Sequence, residues 1–381
     1  MNTIKILHLS KIKGISGSEN HLLTLLSELN KQQFDVYFGI LAEPRHLKFL
    51  QDYKKSLSKA GVTVFTLEMH KYLDLRLLWT LKKYMVQEKF HLVHTHLIHA
   101  DCYGTLAAKM AGVPLIISSR HNDDRFRRYR AIIWLNRLLA RWHSKIIVIS
   151  DWVGRFLQEV EGIPADKIVR IHYGLDPTPI EALSDPAYIR LQFHIPDGAP
   201  VIGTVGRLTA QKGQTYLLQA ARLLKNDFPH LRVVIIGDGE LRQQLEQQTK
   251  TLDIADNIIF TGVRPYQETM RLLSGMEFFV FPSLWEGFGL VLLEAMALKK
   301  AIVASDVSAI PESVVDGNTG MLAPPGQVEP LVEALRCLLK NPRRTRQMGI
   351  AGFHRLQEEF SIKKMVCATA NLYEQLAGCI A

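Results

Sequence analysis

The sequence predicts an α/β protein made of two doubly wound, Rossmann-like domains, and three observations predict it. Its 381 residues exceed one ordinary core and suit two domains of roughly 150–200 residues. Short apolar runs alternate with amphipathic stretches from end to end, the βαβα rhythm of parallel sheets covered on both faces. The rhythm breaks once, over 173–200, where Gly174, Pro177, Pro179, Pro186, Pro196, Gly198 and Pro200 accumulate. That stretch reads as a linker holding one short helix.

Each element follows from its pattern. Apolar runs predict strands at 4–9, 34–41, 62–66, 91–95, 115–118, 145–149 and 168–171, with helices between them at 19–29, 75–87 and 132–142 among others. Beyond the break, strands are expected at 201–205, 231–236, 257–260, 277–281, 301–304 and 321–322. A last helix over 362–376 places Met365, Ala368, Leu372 and Leu376 on an apolar stripe and is expected to pack back on the first domain. The domains are therefore expected at 1–176 with 361–381, and at 177–360. They should face each other across a cleft at the carboxyl ends of their strands, where such sheets bind ligands.

Composition narrows the class. The chain is 47% hydrophobic and 22% charged, the balance of a water-soluble globular protein. No apolar run approaches the roughly 20 residues that cross a bilayer, and residues 1–10 read as a first strand, not a signal peptide. Cys102, Cys337, Cys367 and Cys379 are scattered without a C-x-x-C pair. That is expected of free thiols in a reducing, cytoplasmic compartment. The net charge of +9 is lopsided: residues 1–176 hold 26 Lys and Arg against 16 Asp and Glu, and residues 177–381 hold 20 against 21. The basic half should meet an acidic partner such as a phosphorylated substrate or an anionic membrane surface.

The second half carries the chemistry. Phe281-Pro282-Ser283 closes a strand and leads into Glu286-Gly287-Phe288-Gly289-Leu290, with Glu294 about one turn inside the next helix. Glycines let the backbone approach a ligand, the helix start offers unpaired amides to an anion, and two carboxylates suit diols. Gly206-Arg207-Leu208 with Lys212-Gly213 ends an earlier strand in the same way. Arg offers a planar fork and Lys a point charge to a diphosphate. Gly237-Asp238-Gly239 and Thr261-Gly262-Val263-Arg264 close the neighbouring strands. Any one of these turns also fits a capped helix with solvated charges. Their recurrence after successive strands is what argues for a ligand. Neither a G-x-x-x-x-G-K-[ST] loop nor a G-x-G-x-x-G spacing is present, which weighs against ATPase and NAD chemistry.

Together these landmarks make the second half resemble the glycosyltransferase family 4 enzymes, retaining nucleotide-sugar transferases of the two-domain GT-B fold. The match runs over about 201–325, adding Ala295-Met296-Ala297, Ile310-Pro311-Glu312 and Asp316-Gly317-Asn318-Thr319-Gly320 to the turns above. The first half matches through Gly17-Ser18-Glu19, Val93-His94-Thr95-His96, His121 and Tyr173-Gly174-Leu175-Asp176. The resemblance implies that Arg207 and Lys212 hold the donor diphosphate, that Glu294 takes the ribose hydroxyls, and that Glu286 positions the sugar with the backbone at Phe288, Gly289 and Leu290. It further implies that Gly206 and Gly237 line the phosphate turn, and that the base lies near Val263 and Arg264. Gly17 would approach from the other domain, with His121 facing the anomeric centre. His121, Glu286, Arg207 and Lys212 are thus the expected catalytic set. No cofactor and no metal are expected. The chain departs from the family at Ser16, Lys299, Ala301 and Ser308-Ala309, where glycine or proline is common, so the sugar is not implied.

Two further clusters bear on partners. His94, His96 and His99 stand near a strand end with Asp101 beside them, yet a zinc site needs a fourth ligand and a supporting shell, so the histidines are expected to line an acceptor cleft or to be a plain strand-end pair. Arg125, Arg127, Arg128 and Arg130 precede a helix bearing Trp134, which suits either a solvated outer face or an anionic membrane. The expected activity is transfer of a sugar to an acceptor hydroxyl, the acceptor being a lipid-linked or cell-envelope saccharide handled at the membrane face. An epimerase on the same fold and a nucleic-acid-binding protein using the basic half are the alternatives.

Overall fold

The computed structural model describes residues 3–14, 17–29, 34–69, 74–122 and 125–378. They divide into two units, Met1–Gly174 with Ile362–Ala381, and Leu175–Ser361. The first unit runs β1 (Ile4–Lys11), α1 (Gly17–Leu29), β2 (Phe34–Ala42), α2 (Gln51–Lys59), β3 (Thr63–Glu68), α3 (Leu75–Glu88), β4 (Leu92–His96), α4 (Leu97–Ala111), β5 (Leu115–Arg120), α5 (Arg130–Ala140), β6 (Lys145–Val148), α6 (Asp151–Glu159) and β7 (Ile168–Arg170). Its strands are parallel in the order β3-β2-β1-β4-β5-β6-β7.

Alternation along the strands serves both faces. Ile6, Phe38, Leu92 and Ile117 meet Leu22 and Leu26 of α1 and Tyr53 and Leu57 of α2. Leu7, Leu9, Val93 and Ile116 meet Leu77, Leu81 and Met85 of α3 and Ala100 and Ala107 of α4. Local chemistry fixes the helix ends. The Asp74 carboxylate accepts from the amides of Arg76 and Leu77 at 3.1 and 3.2 Å to open α3, and Lys89 closes it in the left-handed conformation.

The second unit begins with α7 (Thr178–Glu181) and α8 (Tyr188–Phe193). The expected linker with one helix therefore holds two, and it is folded onto this unit. Ile189 is fully buried, and Asp185 takes an ion pair from Arg271 at 2.7 Å. Then follow β8 (Val201–Val205), α9 (Gln214–Leu224), β9 (Arg232–Ile236), α10 (Arg242–Thr251), β10 (Ile258–Gly262), α11 (Tyr266–Ser274), β11 (Phe278–Phe281), α12 (Leu290–Ala297), β12 (Ala301–Ser305), α13 (Ile310–Ser313), β13 (Gly320–Ala323), α14 (Val328–Lys340) and α15 (Pro342–Glu359). These strands are also parallel, in the order β10-β9-β8-β11-β12-β13. Ile202, Val233, Val280 and Val303 pack on Leu217 and Leu218 of α9 and on Leu335 and Leu338 of α14.

The last helix, α16 (Ile362–Gly378), returns to the first unit. Its buried face is Met365, Val366, Thr369, Ala370, Leu372 and Tyr373, while Ala368 is exposed. The expected stripe was thus rotated by part of a turn, because Tyr373 carries more area to bury than Ala368.

One sequence expectation fails inside the first unit. Arg127, expected on a membrane or acceptor surface, is 3% exposed. Its Nε and Nη2 donate to Glu161 Oε1 at 3.0 and 2.7 Å, and Asn136 Nδ2 adds 2.7 Å. A carboxylate buried in the turn after α6 needs that many donors, so it draws the arginine inward and clamps α5 against α6. Replacing Glu161 with Gln leaves the guanidinium buried without its counter-charge. The variant should lose about 3 kcal/mol of unfolding free energy, read by urea denaturation; a loss under about 1 kcal/mol would contradict the clamp.

Candidate active site

In each sheet the strand order reverses once, between β1 and β4 and between β8 and β11. At such a point successive connections leave toward opposite faces and a crevice opens at the carboxyl ends. In the second unit the loop after β8 carries Gly206, Arg207 and Lys212, and the loop after β11 carries Glu286. Lys212 Nζ lies 2.5 Å from Glu286 Oε2, with both side chains largely buried. The two loops are also laced by backbone. The Leu284 amide donates to Gln211 O at 2.7 Å, and Gln211 Nε2 donates to Trp285 O at 3.0 Å. Lys212 Nζ further sits 4.8 Å above the Phe281 ring.

Two glycines allow this closeness. Gly213 has φ +64°, and a Cβ there would stand 2.0 Å from the Pro282 carbonyl oxygen. A Cβ on Gly237 would stand 2.1 Å from the Gly206 carbonyl oxygen. The Gly206 amide donates to Ile236 O, Leu208 to Asp238 O and Gly237 to Gly262 O, all at 2.9–3.0 Å. The turns after β8, β9 and β10 are therefore one continuous rim.

The other expected donor residues fall along that rim with distinct environments. The Arg207 side chain is exposed. Gly289 precedes α12 with φ +87°, and Leu290 is the first residue of that helix. Phe288 is 1% exposed and its ring packs 5.7 Å from Phe360. Val263 is 77% exposed. Arg264 folds back on its own turn, with Nη1 3.2 Å from Glu268 Oε1 and Nε donating to Thr261 O at 3.1 Å. Glu294, on α12, keeps some exposed surface, yet burial pushes its carboxyl up to about 7, and a hydrogen bond from Tyr266 partly offsets this.

In the first unit Gly17 begins α1 and is exposed. His121, just beyond β5, is 9% exposed. Both of its ring nitrogens have protein partners: Nδ1 lies 2.6 Å from the Tyr173 hydroxyl and Nε2 3.2 Å from His96 Nδ1. Burial, reinforced by the charges of Arg120 and Arg127, lowers its pKa to about 3. His94 and His96 do share a face as alternation requires, but their third neighbour is His8 and not His99. Asp101 is drawn away to Arg120, 2.6 Å distant, with His143 and Thr95 beside it. Strong desolvation would raise that carboxyl, and the Arg120 and His143 charges overturn it and hold it low.

Comparison with known proteins fits this geometry. The model of Glycosyltransferase Family 4 matches residues 15–178 and that of Glycosyl transferases group 1 matches 188–355. The chain belongs to the family 4, group 1 glycosyltransferases. It is 28% identical to the alpha-D-kanosaminyltransferase of Streptomyces kanamyceticus over 66% of this chain and 70% of that one. It is 25% identical to the UDP-Gal:alpha-D-GlcNAc-diphosphoundecaprenol alpha-1,3-galactosyltransferase of Escherichia coli over 87% of each. The crystal structure of Anabaena HepE in complex with UDP superposes with a TM-score of 0.84 at 20% identity, covering 98% of this chain and all of that one. The fold of this glycosyltransferase is GT-B, with two parallel-sheet Rossmann-like domains.

The basic run of the glycosyltransferase splits. The Arg125 side chain lies outside the described residues. Arg127 is the buried clamp already described. Arg128 and Arg130 are exposed, the former with its guanidinium 5.2 Å from the Phe156 ring. Trp134 is 66% exposed and Tyr129 68%. Among the described residues, no helix is long and apolar enough to cross a membrane.

Sequence reasoning missed Tyr266, Gln211, His8 and Tyr373. His8 had a signal, a lone histidine within an apolar strand. Tyr373 had none, being 279 positions from the His94 ring it touches.

Glu294 gives a pH test that needs no ligand. Its folded pKa is raised above its ordinary value near 4.5. Stability is therefore fullest below that value and falls as pH rises toward about 7. Glu294→Gln removes this slope, so the variant should gain in melting temperature relative to wild type between pH 5 and pH 8. A difference that does not change with pH would refute the raised pKa.

Proposed function

We propose that this glycosyltransferase takes its sugar from a nucleotide-diphosphate donor held on the β8–β11 rim of the second unit. The observation that carries the reading is the Lys212–Glu286 pair across the strand-order reversal, with Arg207 exposed in the same loop. Departure of the diphosphate leaves negative charge, and cations already fixed there stabilise the transition state more than the ground state. Lys212 and Glu286 neutralise each other as paired here. A bound diphosphate competes for Lys212 and frees Glu286 to accept from sugar hydroxyls, while Glu294 accepts from the ribose. The two basic side chains supply the charge with no divalent ion in this scheme.

Transfer is proposed to retain configuration. The bond from the anomeric carbon to the phosphate oxygen breaks, the acceptor oxygen bonds that carbon on the same face, and the acceptor proton passes to the departing phosphate. The E. coli relative is named for a donor of UDP-galactose and a diphosphoundecaprenol acceptor, and the HepE structure holds UDP. A lipid-linked or envelope saccharide acceptor is therefore proposed, met by the first unit at a cytoplasmic membrane face. Exposed Trp134, Tyr129, Arg128 and Arg130 support that placement.

A thermal-shift series with UDP, GDP, ADP and their sugars should name the nucleotide, since a ligand bound only by the folded state raises the melting point. With the donor so found, Arg207→Ala and Lys212→Ala should each lower transfer by about 100- to 1000-fold while leaving the circular dichroism unchanged, and EDTA should leave the wild-type rate intact. Full activity in the purified Arg207 variant would defeat the donor assignment. In flotation assays, binding to anionic vesicles should fall with salt and weaken in Trp134→Ala. Binding indifferent to salt and to lipid charge would exclude the membrane placement.

A further inference from the structure

The buried rings of the first unit form a line of hydrogen bonds. His121 Nδ1 meets the Tyr173 hydroxyl at 2.6 Å, and His121 Nε2 meets His96 Nδ1 at 3.2 Å. His96 Nε2 meets His8 Nδ1 at 3.0 Å, and His8 Nε2 meets the Tyr373 hydroxyl at 3.4 Å. The Tyr373 hydroxyl meets His94 Nδ1 at 2.6 Å, and His94 Nε2 meets Ser119 Oγ at 2.7 Å. His8, His94 and His96 are at most 1% exposed and Tyr373 is fully buried. The placement follows from strand register. His8 pairs with His94 and His96 with Ser119 across β1, β4 and β5, and His121 continues the alternation two residues on. All point to the face covered by α1 and α16.

A neutral imidazole has one donor and one acceptor nitrogen. Burial keeps all four rings neutral, with pKa values lowered to about 3 for His8 and His121 and well below the ordinary range for His94 and His96. Each ring-to-ring link needs a donor at one end and an acceptor at the other. If His121 donates from Nε2, His96 must accept at Nδ1 and donate from Nε2, and His8 must follow. If His121 donates from Nδ1, every ring is reversed. A hydroxyl can break the rule by accepting from both sides. At Tyr373 that would leave its own proton unbonded in a fully buried site, at about 1–3 kcal/mol.

We propose that His121, His96 and His8 are one tautomeric unit, continued through Tyr373 to His94 and Ser119, and that His96 and Tyr373 are positioning residues for His121. The four rings are then all Nε2–H or all Nδ1–H. A helix from the far end of the chain thereby sets which nitrogen of His121 carries its proton and how its Tyr173 partner is oriented. The proximity of three histidines also invites a metal. Asp101, whose charge acts on His94, is already committed to Arg120, so a divalent ion would bring charge that this carboxylate is not free to balance. The kinetic half of the proposal rests on His121 serving the donor–acceptor site, and the tautomer half does not.

Two-bond proton–nitrogen NMR of the uniformly labelled enzyme reads the tautomer of each ring directly. His121, His96 and His8 should show one shared tautomer and remain neutral at pH 6. A mixed pattern, a charged ring, or stoichiometric metal in the purified protein would overturn the unit. Tyr373→Phe keeps the ring packing and removes only the hydroxyl. It should change the His94 and His121 nitrogen shifts and lower kcat at least about 10-fold with donor KM held, the modest end of what a misplaced proton costs. His96→Gln, whose amide both donates and accepts, should keep more activity than His96→Leu at equal melting temperature. If the shifts behave as stated but kcat is unmoved in every variant, the tautomeric unit stands and the positioning claim fails. Unmoved shifts in Tyr373→Phe would remove the link through α16.

Discussion

The reversal of strand order between β8 and β11 is the constraint to which the second unit's chemistry answers. Because β9 and β10 lie to one side of β8 while β11 and β12 lie to the other, the loops leaving β8 and β11 diverge and leave their carboxyl ends uncovered. Lys212 and Glu286 meet across that gap at 2.5 Å. The glycines are consequences of the same geometry. Gly213 is needed because the β11 loop passes over the β8 loop, and Gly237 because the β9 turn presses on Gly206. Each turn is close to the next, so the rim behaves as one preformed surface and not as four independent loops.

The first unit applies the same reversal, between β1 and β4, to a different end. There the side chains at the reversal are buried histidines and hydroxyls bonded to one another, where the second unit has charges. Two buried ion-paired knots flank them, Arg120 with Asp101 and Arg127 with Glu161. Their positive partners add to desolvation in keeping His121 neutral. A neutral, hydrogen-bonded imidazole and a neighbouring phenol suit fixing hydroxyl groups in place, and they make a poor reservoir for a proton near neutral pH.

Much of this was legible from the chain. The strands were found because parallel strands buried on both faces are short unbroken apolar runs, and the Gly-plus-charge turns were found because each follows such a run. Glu286 and Lys212 were named from motif spacing, though not their contact, which depends on residues 74 positions apart meeting at the reversal. Arg127 was misplaced because nothing local marks an arginine whose partner lies 34 residues away. The partners of His121 were not legible, because the alternation of one strand says which face a side chain takes but not what covers it. The segment read as a linker shows the same limit, since proline and glycine mark irregular backbone whether it is free or packed. Ala368 was put in the apolar stripe by spacing alone, while the helix turned to bury the larger Tyr373.

The return of α16 also bears on biosynthesis. The first 174 residues leave the ribosome before the helix that covers Ile6, Leu92 and Ile117 exists. Until residue 373 is made, the His94 ring lacks its phenol partner and an apolar flank stays open. Although amino-terminal domains ordinarily fold first during synthesis, this one can finish only after its successor has been translated. A nascent chain halted short of α16 should therefore be the species that holdase chaperones find.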